Sequence, residues 1–380
     1  MALQPGDLLL NITGDGVTFA RACEVPSDVI PAVVNQHVCI VRVDPEVACP
    51  GFVLGYLTSP SAKSYIESFN AGGSRRAITK GHIESFVIPM PPLDVQRAIA
   101  HILGTLDDKI ELNRRMTETL EAMARALFKS WFVDFDPVRA KMEGRWRRGQ
   151  SLPGLPAEMW DLFPERLVES ELGEIPEGWE IRPLPAFVDV NPKRQLSKRS
   201  LAPYLDMASM PTRGHVPAAT PILRAFGSGT KFQNGDTLLA RITPCLENGK
   251  TAFVDFLEAD QVGWGSTEYI VLRSRAPVPP EFSYCLARSE AFRDFAIQSM
   301  TGSSGRQRVA TDSLDHFRMP LPTRETLMTF GSIVNPMFTA CSKRADESRT
   351  LAGIRDVLLP KLISGAIRVQ DVELATGQQE

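Results

Sequence analysis

The residues best suited to chemistry lie in three polar clusters, and their types suit nucleic-acid contact better than catalysis. The loop Thr301-Gly302-Ser303-Ser304-Gly305-Arg306-Gln307-Arg308 combines glycines with hydroxyl and guanidinium groups. Glycines let a backbone approach another surface, and Ser and Arg bond phosphate oxygens. Arg and Gln also read guanine and adenine edges through paired hydrogen bonds. A shorter version, Gly72-Gly73-Ser74-Arg75-Arg76, stands far upstream. A second cluster places Lys193, Arg194, Lys198 and Arg199 within one short stretch, and a third sets Arg241, Glu247, Asn248 and Lys250 in a polar turn between strand-like segments. Taken alone, each reads equally well as a solvated surface. Recurrence of the Gly-Arg loop ahead of each of two long helices turns that reading toward DNA contact.

Other chemistry finds little support. Gly249-Lys250-Thr251 looks like the end of a phosphate-cradling loop, but Pro244 occupies the position where that loop needs its first glycine. Asn191-Pro192 continues as Lys193-Arg194, so there is no Asn-Pro-Pro-aromatic tetrapeptide of an amino-methylating enzyme. The histidines at 37, 82, 101, 215 and 316 lack metal-ligand spacing. Cys23, Cys39, Cys49, Cys245, Cys285 and Cys341 form no CxxC pair and read as reduced thiols of a cytoplasmic protein. No signal peptide or membrane-length apolar run is present. Hydrophobic content of 43%, charged content of 23% and a net charge of −3 describe an ordinary globular chain, so any DNA-binding face must be local.

The elements that must position these clusters are two long helices. Ile99, Ile102, Leu106, Ile110, Asn113, Met116, Leu120, Met123, Leu127 and Trp131 recur in steps of three and four, the seam of a coiled coil. At 1.5 Å per residue, Asp94 to Trp131 spans roughly 57 Å. The opposite face is charged (Asp108, Lys109, Glu111, Arg114, Arg115, Glu118), so the helix requires one narrow apolar partner. That partner is in the same chain: Phe330, Ile333, Met337, Cys341, Arg344, Leu351, Ile354, Leu358 and Leu362 repeat the seam at constant offset. The segments before each helix repeat too, with Gly6-Asp7-Leu8-Leu9 answered by Gly235-Asp236-Thr237-Leu238. The chain is therefore a tandem duplication of a globular domain plus a long helix.

The fold class expected is α+β: two mixed α/β domains alternating with two long helices paired as an antiparallel coiled coil. The first domain covers 1–92 and the first helix 93–135. A proline-broken linker with at most one short helix covers 136–177, and there Arg145, Arg147 and Arg148 flank Trp146 as a basic-aromatic patch or a solvated loop. The second domain covers 178–322, the second helix 323–365 and a tail 366–380. By the repeat, Met1 corresponds to Thr230, so the first domain reads as truncated at its N-terminus. The Pro92/Gln96 entry of the first helix becomes Thr323 and Leu327 in the second, and Pro336 should kink or delay the second helix.

With these pieces in place, the chain resembles the specificity subunits of type I restriction-modification systems. The segments carrying the likeness are IPMPPLDVQRAIAHIL, LNRRMTETLEAMARALFKSWFVDFDPVRAK, SELGEIPEGWE, NPKR, GDTLLARITPCLENGKTA and TGSSGRQRV. The resemblance implies two target-recognition domains, each reading one half of a bipartite site in double-stranded DNA. It implies paired helices that dock modification subunits, two in number, and restriction subunits that complete an ATP-dependent nuclease. It implies no catalytic centre in this chain, with S-adenosylmethionine, ATP and Mg bound by partner subunits. Two other readings stand beside it: a protein-interaction scaffold whose DNA reading is impaired by truncation, and an enzyme that acts on DNA alone.

Overall fold

The computed structural model describes residues 2–14, 18–69, 76–303 and 305–372. The chain divides into two compact units, Met1–Asn113 with Asp346–Glu380, and Arg114–Ala345. Both long helices are present, as Leu93–Phe132 and Arg324–Ile363. Each unit takes the first half of one and the second half of the other. Within the first unit Asp107 pairs with Arg355 at 2.6 Å and Asn113 with Glu347 at 2.8 Å, so the halves run antiparallel.

In the first unit, strand Leu8–Asn11 lies between Ala22–Glu24 and Val38–Val41, antiparallel to both. Its alternation sends Leu8 and Leu10 into the core. Helices Pro50–Thr58 and Pro60–Ser68 cover that core with Phe52, Val53, Leu57, Ala62 and Ile66. The two are separate helices. Pro60 cannot continue the first, and the Ser59 hydroxyl caps the second by accepting from Ala62 N–H.

In the second unit, one antiparallel sheet has the order Thr251–Phe253, Asp236–Ala240, Tyr269–Ser274, Val188–Val190. A second sheet has the order Ile222–Ala225, Leu201–Leu205, Gly263–Gly265, Thr230–Phe232. Helices Pro280–Arg288 and Glu290–Gln298 again meet at a capping serine, Ser289. Phe282 packs on Phe128, Phe132 and Phe330, which joins this domain to its portions of both long helices.

The duplication is visible as repeated hydrogen bonding. Asp7 and Asp236 are both buried, each follows a glycine at φ +81 or +83, and each takes a backbone N–H, from Gln4 or Gln233, at 2.8 Å. Each also pairs with an arginine of a neighbouring strand region, Arg42 at 2.7 Å and Arg273 at 3.0 Å. A positive φ is where glycine alone is unstrained, which explains the Gly-Asp dipeptide in both copies.

Four expectations need correction. The seam is broader than a narrow heptad stripe and partly displaced from it. Leu103, Glu121, Ala124 and Phe128 are buried, whereas Met116, Met123 and Ile354 are exposed and Leu359 is more deeply buried than Leu358. The reason is that each half-helix packs on a globular domain as well as on its partner, and 3.6 residues per turn drifts from a strict heptad. Ile99 is buried, and Ile102, Leu106, Ile110, Leu120, Leu127, Met337 and Leu351 are partly buried. Secondly, within that expected apolar seam Asn113 meets polar partners, Glu347 and Ser348. Thirdly, the second helix runs unbroken through Pro336. Pro336 and Ser332 are both exposed, so water can satisfy the carbonyl that the missing N–H leaves free. Fourthly, 136–177 is folded: helix Asp136–Met142, a 3₁₀ turn at Ala157–Leu162 and a hairpin of Leu167–Ser170 with Gly173–Pro176. Trp146 is buried edge-on against Trp160, and Lys141 Nζ donates to the carbonyls of Trp160 and Phe163 at 2.6 Å. The patch is a small core, with Arg145 and Arg148 paired to Glu143 and Asp161.

Candidate nucleic-acid interface

The sheet of the second unit sorts the predicted basic residues into anchors and exposed groups. Arg194 is an anchor. Its guanidinium bonds both oxygens of buried Asp236, at 2.9 and 3.1 Å, and its side chain is only 15% exposed. Lys250 is another, because its Nζ donates to Met207 O at 2.6 Å. Arg308 grips Glu268 through three contacts of 2.8 to 3.0 Å, and that carboxylate raises its pKa above the ordinary arginine value. These three were expected as DNA ligands; the structure gives them internal partners, a carboxylate for each arginine and a backbone carbonyl for Lys250. Arg241 is half-buried, and Val309 N–H donates to its carbonyl.

Lys193, Lys198, Arg199, Asn248, Ser303 and Arg306 are exposed. Gln307 is half-buried, and it exchanges hydrogen bonds with Thr243 at 3.0 Å in both directions. The 301–308 loop is thereby tied to the turn that carries Asn248. It is not gathered with the Lys193–Arg199 stretch through a shared anchor. Arg194 is fixed at Asp236, the first residue of its strand, and Arg308 sits beside Ile242, beyond the strand's last residue. At about 3.3 Å per residue these anchors are roughly 20 Å apart. Ser304 lies outside the described residues, as do Ser74 and Arg75 of the first copy. Arg76 is described and pairs with Glu67.

Sequence reasoning missed the assembly that holds this domain to the helices. Glu121, buried on the first long helix, accepts from Tyr284 Oη at 2.8 Å and faces His215 Nδ1 at 3.4 Å. His215 Nε2 lies 3.4 Å from Asp255, which also accepts from Ser342 on the second long helix. Burial opposes a charge on His215, yet the two flanking carboxylates outweigh it and raise its pKa to about 9. Arg288 completes the cluster by donating to Tyr284 Oη at 3.0 Å and to backbone carbonyls at Thr212, Gly214, Gly249 and Thr251. No local signal could have found it: Glu121, His215, Asp255, Tyr284 with Arg288, and Ser342 come from five separate chain segments, and a buried Glu in a helix looks like any surface Glu. In the first unit Gln96, already singled out at the helix entry, is the matching anchor. It accepts from Cys49 N–H at 2.9 Å and donates to Pro91 O at 2.8 Å. Its counterpart entry uses Thr323, whose hydroxyl accepts from Thr326 N–H at 3.3 Å.

Comparison with known proteins finds relatives of one kind. Residues 12–122 match the family described as "Type I restriction modification DNA specificity domain". The HindI specificity subunit of Haemophilus influenzae, a type I restriction enzyme subunit, is 24% identical over 412 residues, covering 96% of this chain and 87% of that protein. The MjaIX specificity subunit of Methanocaldococcus jannaschii is 24% identical over 320 residues, covering 81% and 67%. This chain is similar to the type I restriction-modification specificity subunits. A specificity subunit is a DNA sequence-recognition component and a non-catalytic part of its system. The M. genitalium S subunit aligns over 94% of this chain and 83% of its own with a TM-score of 0.49 and 14% identity. Among the described residues, no group of three or more His, Cys, Asp or Glu side chains could hold a metal ion. No helix among them is long and apolar enough to cross a membrane.

Proposed function

We propose that this chain is a specificity subunit that reads duplex DNA with both globular domains, each taking one half of a bipartite site, and that its long helices dock modification subunits, two per chain. The observation that supports the reading most is the duplicated Gly-Asp-Arg core, followed in each copy by a Gly-Arg loop and a 40-residue helix. In the second domain Ser303, Arg306 and Asn248 are the loop groups offered to DNA, with Gln307 and Arg308 framing them. Lys193, Lys198 and Arg199 supply sequence-independent phosphate contacts. Ser74, Arg75 and Arg76 take the corresponding part in the first domain. Restriction subunits join the complex, partner subunits carry S-adenosylmethionine, ATP and Mg, and the assembly works in the cytoplasm. The pure scaffold alternative is not favoured.

The test is DNA binding by the complex assembled with modification subunits. Arg306→Glu should weaken binding by about tenfold or more, the scale of one lost bidentate contact. Unchanged affinity and unchanged sequence preference would remove the loop from the interface. A salt titration separates a reader from a scaffold, because each neutralised phosphate adds about −0.9 to the slope of log K against log salt.

A further inference from the structure

The second sheet of the Arg114–Ala345 unit ends in a two-stranded ribbon that the loops above leave unexplained. Leu201–Leu205 pairs antiparallel with Ile222–Ala225, and the latter is the sheet edge, exposed at every position. Leu201 is 70% exposed, Ile222 62% and Leu223 68%. Two large apolar side chains on a bare edge, with Leu201 exposed on the strand beside it, are a liability that proteins normally blunt, so their retention calls for something that covers them.

Charge indicates what covers them. From 191 to 231 the chain holds seven Lys or Arg residues and a single acidic residue, Asp206, within a protein whose net charge is −3. Lys198 and Arg199 lead directly into the ribbon, and Arg224 lies on its outer strand; all three are exposed, and none has an ion pair among the described residues. Arg224 is held in place rather than free: its guanidinium lies 4.7 Å from the centre of the Tyr204 ring and 5.9 Å from that of Trp264. A stacked, unpaired arginine is pre-organised for a planar partner. The ribbon's inner strand pairs with Gly263–Gly265, and three residues further on comes Glu268, the anchor of Arg308.

We propose that this ribbon enters a groove of duplex DNA with its edge strand leading, so that Leu201 and Leu223 on one face pack on apolar base surface such as thymine methyl groups and Arg224 on the other face contacts base edges. A two-stranded ribbon fits the major groove, and apolar side chains recognise the thymine methyl there. Lys198 and Arg199 then meet the flanking phosphates. The proposal rests on the reading of the second domain as a DNA reader and adds the element that specifies sequence.

The experiment uses the complex assembled with modification subunits and two probes: an unselected random 40-base-pair duplex pool, and the pool enriched by repeated selection on the wild-type complex. Arg224→Gln and Leu223→Thr should each lower affinity for the enriched pool at least tenfold while leaving the unselected pool within about twofold. Lys198→Gln with Arg199→Gln should lower both and reduce the salt slope by about 1.8. Unchanged melting temperature confirms folding, and Leu201→Thr replaces any variant that fails this control. If Arg306→Glu weakens binding but every ribbon variant behaves as wild type, the ribbon proposal is overturned and the DNA-reading function stands. If the wild-type complex enriches no sequence at all, both fall together.

Discussion

Two buried ionic sites set the pH response at the level of single residues. Arg42 holds the Asp7 carboxyl below its ordinary value through their hydrogen bond, against opposing burial. A depressed carboxylate contributes stability that is present above its unfolded pKa, near 3.9, and is lost as pH falls through the folded value. Asp7→Asn should therefore flatten the loss of melting temperature below about pH 4. His215 behaves oppositely. With a folded pKa of about 9, it contributes fully below its unfolded value near 6.5 and loses that contribution as pH rises through about 9. Melting temperature should fall between pH 7 and 10, and His215→Gln should abolish that slope; a parallel decline in the variant would assign it to another group.

At the scale of elements, packing on the helices can be perturbed at defined points. Phe128 contacts Phe132, Phe282 and Phe330 and is buried. Phe128→Ala should cost about 3–5 kcal/mol in urea unfolding. Asn113 is buried in the first unit, but its partner Glu347 stays 45% exposed and would remain solvated without it. Asn113→Leu should thus stabilise the chain by about 1–2 kcal/mol through apolar burial. Loss of stability on that change would mean the hydrogen bond outweighs apolar burial here. The helix entries differ in strength. Removing the Thr323 hydroxyl with Thr323→Ala should cost about 1 kcal/mol.

For the whole molecule, the buried polar residues serve architecture. Each copy devotes its buried polar residues to holding its own loops and helices, as Asp7 with Arg42 and Asp236 with Arg194 and Arg273 illustrate. Purified alone with Mg²⁺, ATP and S-adenosylmethionine, the chain should leave plasmid DNA unmethylated and uncut. Methyl incorporation or strand scission that copurifies with the chain would contradict the non-catalytic assignment.

The duplication, both long helices and the Gly-Asp dipeptides were legible in the amino-acid order, because periodicity and internal repetition are properties of one dimension. The fates of individual cations were not. Arg194, Lys250 and Arg308 look as available as Lys198 or Arg306 until Asp236, Met207 O and Glu268 are brought to them from distant segments. The Trp146 cluster and the unbroken helix through Pro336 were misjudged for the same reason: burial and solvent access decide them. Local order determines which elements form, whereas the partner of a charge depends on which distant chain segments pack beside it, and only the folded chain decides that.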